Sequence, residues 1–375
     1  MGKFGKKNEV SLNPLDYNIC LLGVAKVGKT TPMKEVCEKL VGTEGYIHFD
    51  MGKEDGAAAI QGIVTEKIEN WSKLTEVVDD IVENKEADYP ELKAIILDTL
   101  DEYIIMAEKE SIRLHNRKNP DNRKDTINEV WGGFGKGQEK AIDLMLDIIW
   151  KLKSVGVSTT IIGHIKRKDI TDPVTQETYS QLSADATQKY FSAIQNKMHF
   201  IGLAYIDREI VKEKTGKKNI VTHKEETINK ISSESRMISF RDDTYSVDSG
   251  SRFADIVDKI PFDADEFIKA LQDAILAEQA KSGESLEDAK KKQEKKDKEK
   301  AKTAAKNSKD LKENKIDVDK NIELAETLKN GYAGLTADQR EEFKAEMAKL
   351  NIESFKNVEE IPTKNLEALV KFLNK

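Results

Sequence analysis

The sequence predicts an α/β fold: a P-loop core on a mostly parallel sheet, then a charged linker and a small C-terminal all-α unit. Three observations point there. Short, almost wholly apolar strands alternate with helical runs through residue 278, as in a parallel sheet covered on both faces. A glycine-rich loop stands between the first strand and the first helix. Beyond residue 278 large apolar residues nearly vanish, then return at helical spacing. A chain of 375 residues suits two or three domains at roughly 150 residues each. The divisions fall at 1–278, 279–318 and 319–375.

The core elements follow in order. Tyr17–Gly23 is an apolar strand that ends in the glycine loop, and Thr30–Leu40 is the helix behind it. Tyr46–Asp50 is a second strand, and Trp71, Leu74, Val77, Val78, Ile81 and Val82 recur at helical spacing. Ala94–Asp98 is a third strand, Ala141–Leu152 a helix, Ser158–His164 a fourth strand and His199–Ile206 a fifth. Arg236–Arg241 and Thr244–Val247 suggest short antiparallel strands around Asp242-Asp243, and Asp263–Glu278 a final core helix.

From Lys281 to Lys315, 13 lysines stand against 8 acids, and Leu286 and Leu311 are almost the only large apolar residues. Such a stretch buries too little surface to offset its ordering entropy and is expected to be a semi-rigid tether. Pairs such as Glu287–Lys291 and Glu294–Lys298 favour partial helicity. Thr336-Ala-Asp-Gln339 is then a capping box ahead of a helix through Leu350. Pro362-Thr363 opens a last helix with Leu366, Leu369, Val370 and Leu373 on one side. Residues 319–375 carry 9 basic and 11 acidic residues, which suits packing on protein better than on nucleic acid.

Composition excludes several classes. With 61 Lys+Arg and 68 Asp+Glu the net charge is −7, so nucleic-acid binding would have to rest on local patches. No apolar run approaches the roughly 20 residues of a membrane span, so no membrane partner is expected. MGKFGKKNEV lacks the apolar core of a secretory signal, and Lys6 stands where a myristoylation signal wants Ser or Thr. Cys20 and Cys37 are too few and too far apart for a disulfide framework or a zinc site. The cytoplasm is the expected compartment.

Gly23, Val24, Ala25, Lys26, Val27, Gly28, Lys29 and Thr30 match G-x-x-x-x-G-K-[ST] in the context that supports it, after a buried strand and before a helix. Glycines let backbone N–H groups approach phosphate oxygens, and the helix N-terminus adds partial positive charge. Lys29 is placed for the β- and γ-phosphates of ATP, Thr30 for Mg²⁺, and Thr31 continues the same turn. Pro32 in that first turn is harmless. Asp98, at the C-terminal end of an apolar strand, is placed to hold the Mg²⁺ water shell.

Glu54, after the second strand, and Glu102, four residues beyond Asp98, compete to orient an attacking water; a solvated loop carboxylate is the plainer reading of Glu54. His164 can sense the γ-phosphate if its strand lies between those of the P-loop and Asp98, and is otherwise a buried, hydrogen-bonded histidine. Two basic segments suit a polymer: Arg113–Lys124, leading into Trp131-Gly-Gly-Phe134, and Lys166-Arg167-Lys168 onward. Either is equally well a solvated loop.

Four features in this order, GVAKVGKT at 23–30, AIILDTLDEY at 94–103, WGGFGKGQEK at 131–140 and STTIIGHIKRK at 158–168, resemble the phage P-loop proteins of the RecA-like, Sak-type single-strand-annealing family. Ser251-Arg252-Phe253 also fits, and the resemblance covers about residues 15–260. It implies a RecA-like ATPase core, Mg²⁺, single-stranded DNA, homo-oligomers and a role in phage recombination or replication in the host cytoplasm. Carried over, Lys29, Thr30 and Asp98 take the nucleotide and metal roles, Glu54 the water-orienting role and His164 the sensor role. The loop after His164, with Lys166, Arg167 and Lys168, resembles the family's DNA-facing loop. The sequence departs in carrying Lys26 where many relatives have a small residue, and the acid after the second strand is open between Asp50 and Glu54. The tail unit is expected to dock on a partner such as a single-strand-binding protein. The alternatives are an ATP-driven motor or assembly factor that never touches DNA, and a small-molecule kinase with Arg113–Lys124 as a weak lid. A GTPase is disfavoured, because Asn84-Lys85-Glu86-Ala87 lacks the Asp of N-K-x-D.

Overall fold

A computed structural model describes residues 8–53, 56–218, 225–241, 249–355 and 357–374. In chain order the core elements are β1 (Ile19–Gly23), α1 (Thr30–Val41), β2 (Tyr46–Met51), β3 (Thr65–Ile68), α2 (Trp71–Glu83), β4 (Ala94–Asp98), α3 (Leu100–Lys118), α4 (Lys136–Ser154), β5 (Ser158–Thr171), β6 (Thr178–Ala184), α5 (Gln188–Gln195), β7 (Phe200–Lys218), β8 (Glu225–Ser239), β9 (Gly250–Ser251), β10 (Lys259–Pro261) and α6 (Ala264–Ala280). They form one sheet in the order β10-β8-β7-β1-β5-β4-β2-β3, with β6 on β5 and β9 on β7. The six strands from β3 to β7 along that path run parallel, and the remaining pairings are antiparallel. The expected α/β class and mostly parallel sheet are therefore present.

Strand alternation divides the core in two. Cys20, Leu22, Ile95 and Leu97 face α2, α3 and α4, whereas Ile19, Leu21, Ala94 and Ile96 face α1 and α6. Both faces are covered, which is why β1 and β4 are apolar up to their C-terminal ends.

Four features differ from expectation. The fourth and fifth strands do not stop at the sheet edge. β5 runs on to pair with β6, and β7 runs on to pair with β8, giving two hairpin arms. Arg236–Ser239 is the end of the long strand β8, not of a short pair, while residues 242–248, with the expected Thr244–Val247 strand, lie outside the described residues. Arg113, Arg117 and Lys118 lie in the last turns of α3, not in a loop.

The fourth correction concerns the segment expected to be a tether. It folds as α7 (Leu286–Glu313), a 28-residue helix laid against the core. Ala304, Ser308 and Leu311 recur at i, i+4 and i+7, a narrow stripe that average composition hides. Ser308 Oγ donates to Val82 O at 2.6 Å, and Asn307 Nδ2 donates to Ser154 O at 2.7 Å. Nearer its middle Lys296 meets Glu9 at 2.9 Å and Lys300 meets Asp16 at 2.6 Å.

The tail is α8 (Val318–Ala333), α9 (Ala337–Lys349) and α10 (Thr363–Leu373) around Leu328, Phe343, Ile352, Leu366 and Leu369. Its capping box has both reciprocal bonds. Val370 and Leu373 pack on that same cluster, so the apolar side expected to meet a partner is used within the unit. Among the described residues, no helix is long and apolar enough to cross a membrane.

Candidate nucleotide-binding site

The C-terminal edge of the parallel strands collects the polar residues. Register sets Gly23 opposite His164 and Ala204, and Asp98 opposite Asp50 and Ile162. β5 lies between β1 and β4, which is the arrangement under which His164 was expected to stand beside the γ-phosphate. A crevice at the carboxyl ends of parallel strands is where α/β sheets bind ligands.

Packing fixes the loop from Gly23 to Thr30. A Cβ on Gly23 would stand 2.9 Å from both the Cβ and the carbonyl oxygen of Ala204, so only glycine lets β1 lie this close to β7 here. Gly28 has φ +95°, a conformation open to glycine alone at little cost. Lys26 is left-handed at φ 61° with its side chain exposed, so a long side chain is accommodated there. Lys29 is 6% exposed, and its Nζ donates to Gly23 O and Val24 O, both at 3.1 Å. The ammonium is thus held over the loop it is meant to serve.

Thr30 opens α1, and its hydroxyl donates to Asp98 Oδ2 at 2.7 Å. Ala94 and Ile96 face α1, so alternation brings Asp98 to the same side as the N-terminus of α1. The pair has the donor chemistry of an Mg²⁺ site. A hydroxyl and a carboxylate are hard oxygen donors, and few protein ligands are needed because Mg²⁺ keeps several waters and binds substrate phosphates. Among the described residues, no cluster of three or more His, Cys, Asp or Glu is placed to hold a metal by itself.

His48 was not foreseen. It is 1% exposed in β2, with Nε2 at 3.1 Å from Asp98 Oδ2 and Nδ1 at 3.1 Å from Thr65 Oγ1. A carboxylate only accepts, so Nε2 carries the proton toward Asp98. Tyr46, His48 and Asp50 alternate onto one face, a pattern visible in the sequence that does not by itself name a partner for His48.

Of the competing acids, two are among the described residues, Asp50 and Glu102. Glu54, the expected water-orienting residue, lies outside the described residues. Asp50 pairs with Lys67 at 2.9 Å. Glu102 packs directly over Gly52, with its carboxylate where any Cβ at that position would fall. His164 Nδ1 stands 2.7 Å from Asp101 Oδ2, a partner one helical turn after Asp98.

The two basic segments are less available than their sequences suggested. Arg113 Nη1 lies 2.9 Å from Asp319 Oδ1, and Arg117 pairs with Asp319 and Glu323, so the tail unit occupies both. Two neighbouring carboxylates, Glu110 first and then Asp319, raise the pKa of Arg113. Trp131 is held by α3, its Nε1 donating to Ser111 Oγ at 3.1 Å, whereas Phe134 is fully exposed. On the β5–β6 arm, Lys166 and Lys168 share one face and Arg167 takes the other. Lys166 pairs with Asp185 at 2.9 Å and Arg167 with Asp169 at 3.8 Å.

A family model described as an AAA domain matches residues 15–253, and the chain belongs to that family. Among solved structures, the flagellar accessory protein FlaH from Methanocaldococcus jannaschii is similar at 8% identity and a TM-score of 0.30, over 68% of this chain and 86% of that one. No curated protein sequence matches this one.

Proposed function

We propose that this AAA-domain protein binds ATP with Mg²⁺ at the P-loop, hydrolyses it, and uses the cycle to hold single-stranded DNA on the β5–β6 arm. In this reading it promotes annealing or strand pairing as a homo-oligomer in phage recombination or replication. The observation that carries the nucleotide reading is the convergence of Lys29, Thr30, Asp98 and His164 at one strand edge. Lys29 neutralises phosphate charge and the loop N–H groups orient the phosphates. Thr30 and Asp98 would hold Mg²⁺, which supplies charge neutralisation across the β- and γ-phosphates. His48 keeps the Asp98 carboxylate turned toward Thr30. Glu54 orients the attacking water, and His164, steadied by Asp101, reads the γ-phosphate side.

A second reading is an ATP-driven motor or assembly factor without DNA contact. It is favoured by the pairing of Arg113 and Arg117 with the tail and by the split faces of the basic arm. A gel shift with single- and double-stranded DNA, with and without ATP, decides between them. ATP-modulated retention of the single strand supports the first; no retention at low salt refutes it and leaves the second.

A further inference from the structure

We propose that Arg236 is a second cation for the phosphate chain of the nucleotide, facing Lys29 across the P-loop; this rests on the nucleotide reading above. Phe240, Ile238 and Arg236 alternate onto the α1 side of the sheet, and the first two are buried in the α1–α6 core. Arg236 is the next residue on that face and emerges where the core ends. The register places it there: Ala204 pairs with both Gly23 of β1 and Ile238 of β8, so Arg236, opposite Ile206, stands one step beyond the strand end from which the P-loop leaves. A Cβ built on Gly28 would lie 3.7 Å from Arg236 Nη1, which sets the guanidinium against the last glycine before Lys29.

The arginine is also anchored and uncommitted. Its carbonyl accepts from Phe262 N at 3.0 Å, tying the strand to the segment before α6. Its side chain is exposed, and among the described residues its guanidinium has no ion-pair partner. A planar, permanently charged fork beside a phosphate-binding loop suits bidentate contact with phosphate oxygens. No short motif announces this residue, because it lies more than 200 positions after the loop it faces.

The test is equilibrium binding of ATP, ADP and adenosine to the full chain as wild type, Arg236→Ala, Arg236→Lys and Lys29→Ala, with melting curves for each. A contact to phosphate predicts about tenfold weaker ATP and ADP binding in Arg236→Ala, partial recovery in Arg236→Lys, and unchanged melting. Wild-type affinity in Arg236→Ala, while Lys29→Ala loses binding, overturns the role of Arg236 and leaves the P-loop reading standing. An equal loss for adenosine puts Arg236 on the nucleoside and also overturns it. Normal binding by Lys29→Ala overturns the nucleotide reading itself.

Discussion

Replacing Asp98 by Asn tests the link between the metal site and the fold. Asp98 Oδ2 accepts from the Thr30 hydroxyl at 2.7 Å and from His48 Nε2 at 3.1 Å. An amide oxygen in the place of Oδ2 has two lone pairs and can accept from both donors, but it is neutral, and NH₂ replaces the carboxylate's second oxygen. Thr30 is half-buried and His48 is sealed, so exchanging a charged acceptor for a neutral one weakens mainly the His48 bond, by about 1 kcal/mol. The charge matters more for function than for folding. We expect Asp98→Asn to melt a few degrees lower and to bind Mg²⁺-ATP at least tenfold more weakly. In EDTA it should bind ATP as well as wild type or better, since a carboxylate facing the phosphates has gone. The assay is calorimetric titration with ATP in Mg²⁺ and in EDTA, beside thermal melts. Undiminished Mg²⁺ dependence in Asp98→Asn would refute the assignment.

Three further outcomes are expected. If DNA lies on one face of the β5–β6 arm, Lys166→Ala with Lys168→Ala lowers the salt slope of single-strand binding by about 1.4, while Arg167→Ala leaves it near wild type; equal contributions from all three would refute the faced arm. His199 is held neutral, its pKa lowered to about 4 by burial and then by Lys153 and Arg252. The unfolded chain binds that proton first as pH falls through about 6.5, so stability drops by up to about 2 kcal/mol between pH 7 and 5. Urea midpoints that fall equally in His199→Gln would contradict this. Ser308→Glu places a carboxylate at a 5% exposed position against Val82 O, so α7 should leave the core and become protease-sensitive between 286 and 313; unchanged protection would show that the helix is not held there.

The parallel sheet and P-loop were legible because each is local. An apolar strand, a glycine loop and a helix start stand within 24 residues from Tyr17 to Leu40. Asp98 was legible as an acid ending a buried strand. His48 was not, because one histidine in an apolar strand commonly has a purely structural role, and only the register with Asp98 gives it meaning. α7 was misread because composition averages over all faces of a helix, and three small or apolar residues on one stripe suffice to dock it. The occupation of Arg113 and Arg117 is a contact over some 200 residues of sequence, and charge counting cannot see which carboxylate a basic residue meets.

The central claim is that the Gly23–Thr30 loop is an ATP site that works through Lys29. The most direct measurement is Mg²⁺-dependent ATP turnover by the full chain and by Lys29→Ala, with a melt to confirm folding. Lys29 Nζ donates to two carbonyls of its own loop, so the fold should survive its loss. The account requires turnover in wild type that falls to background in Lys29→Ala; wild-type turnover in a folded Lys29→Ala would contradict it.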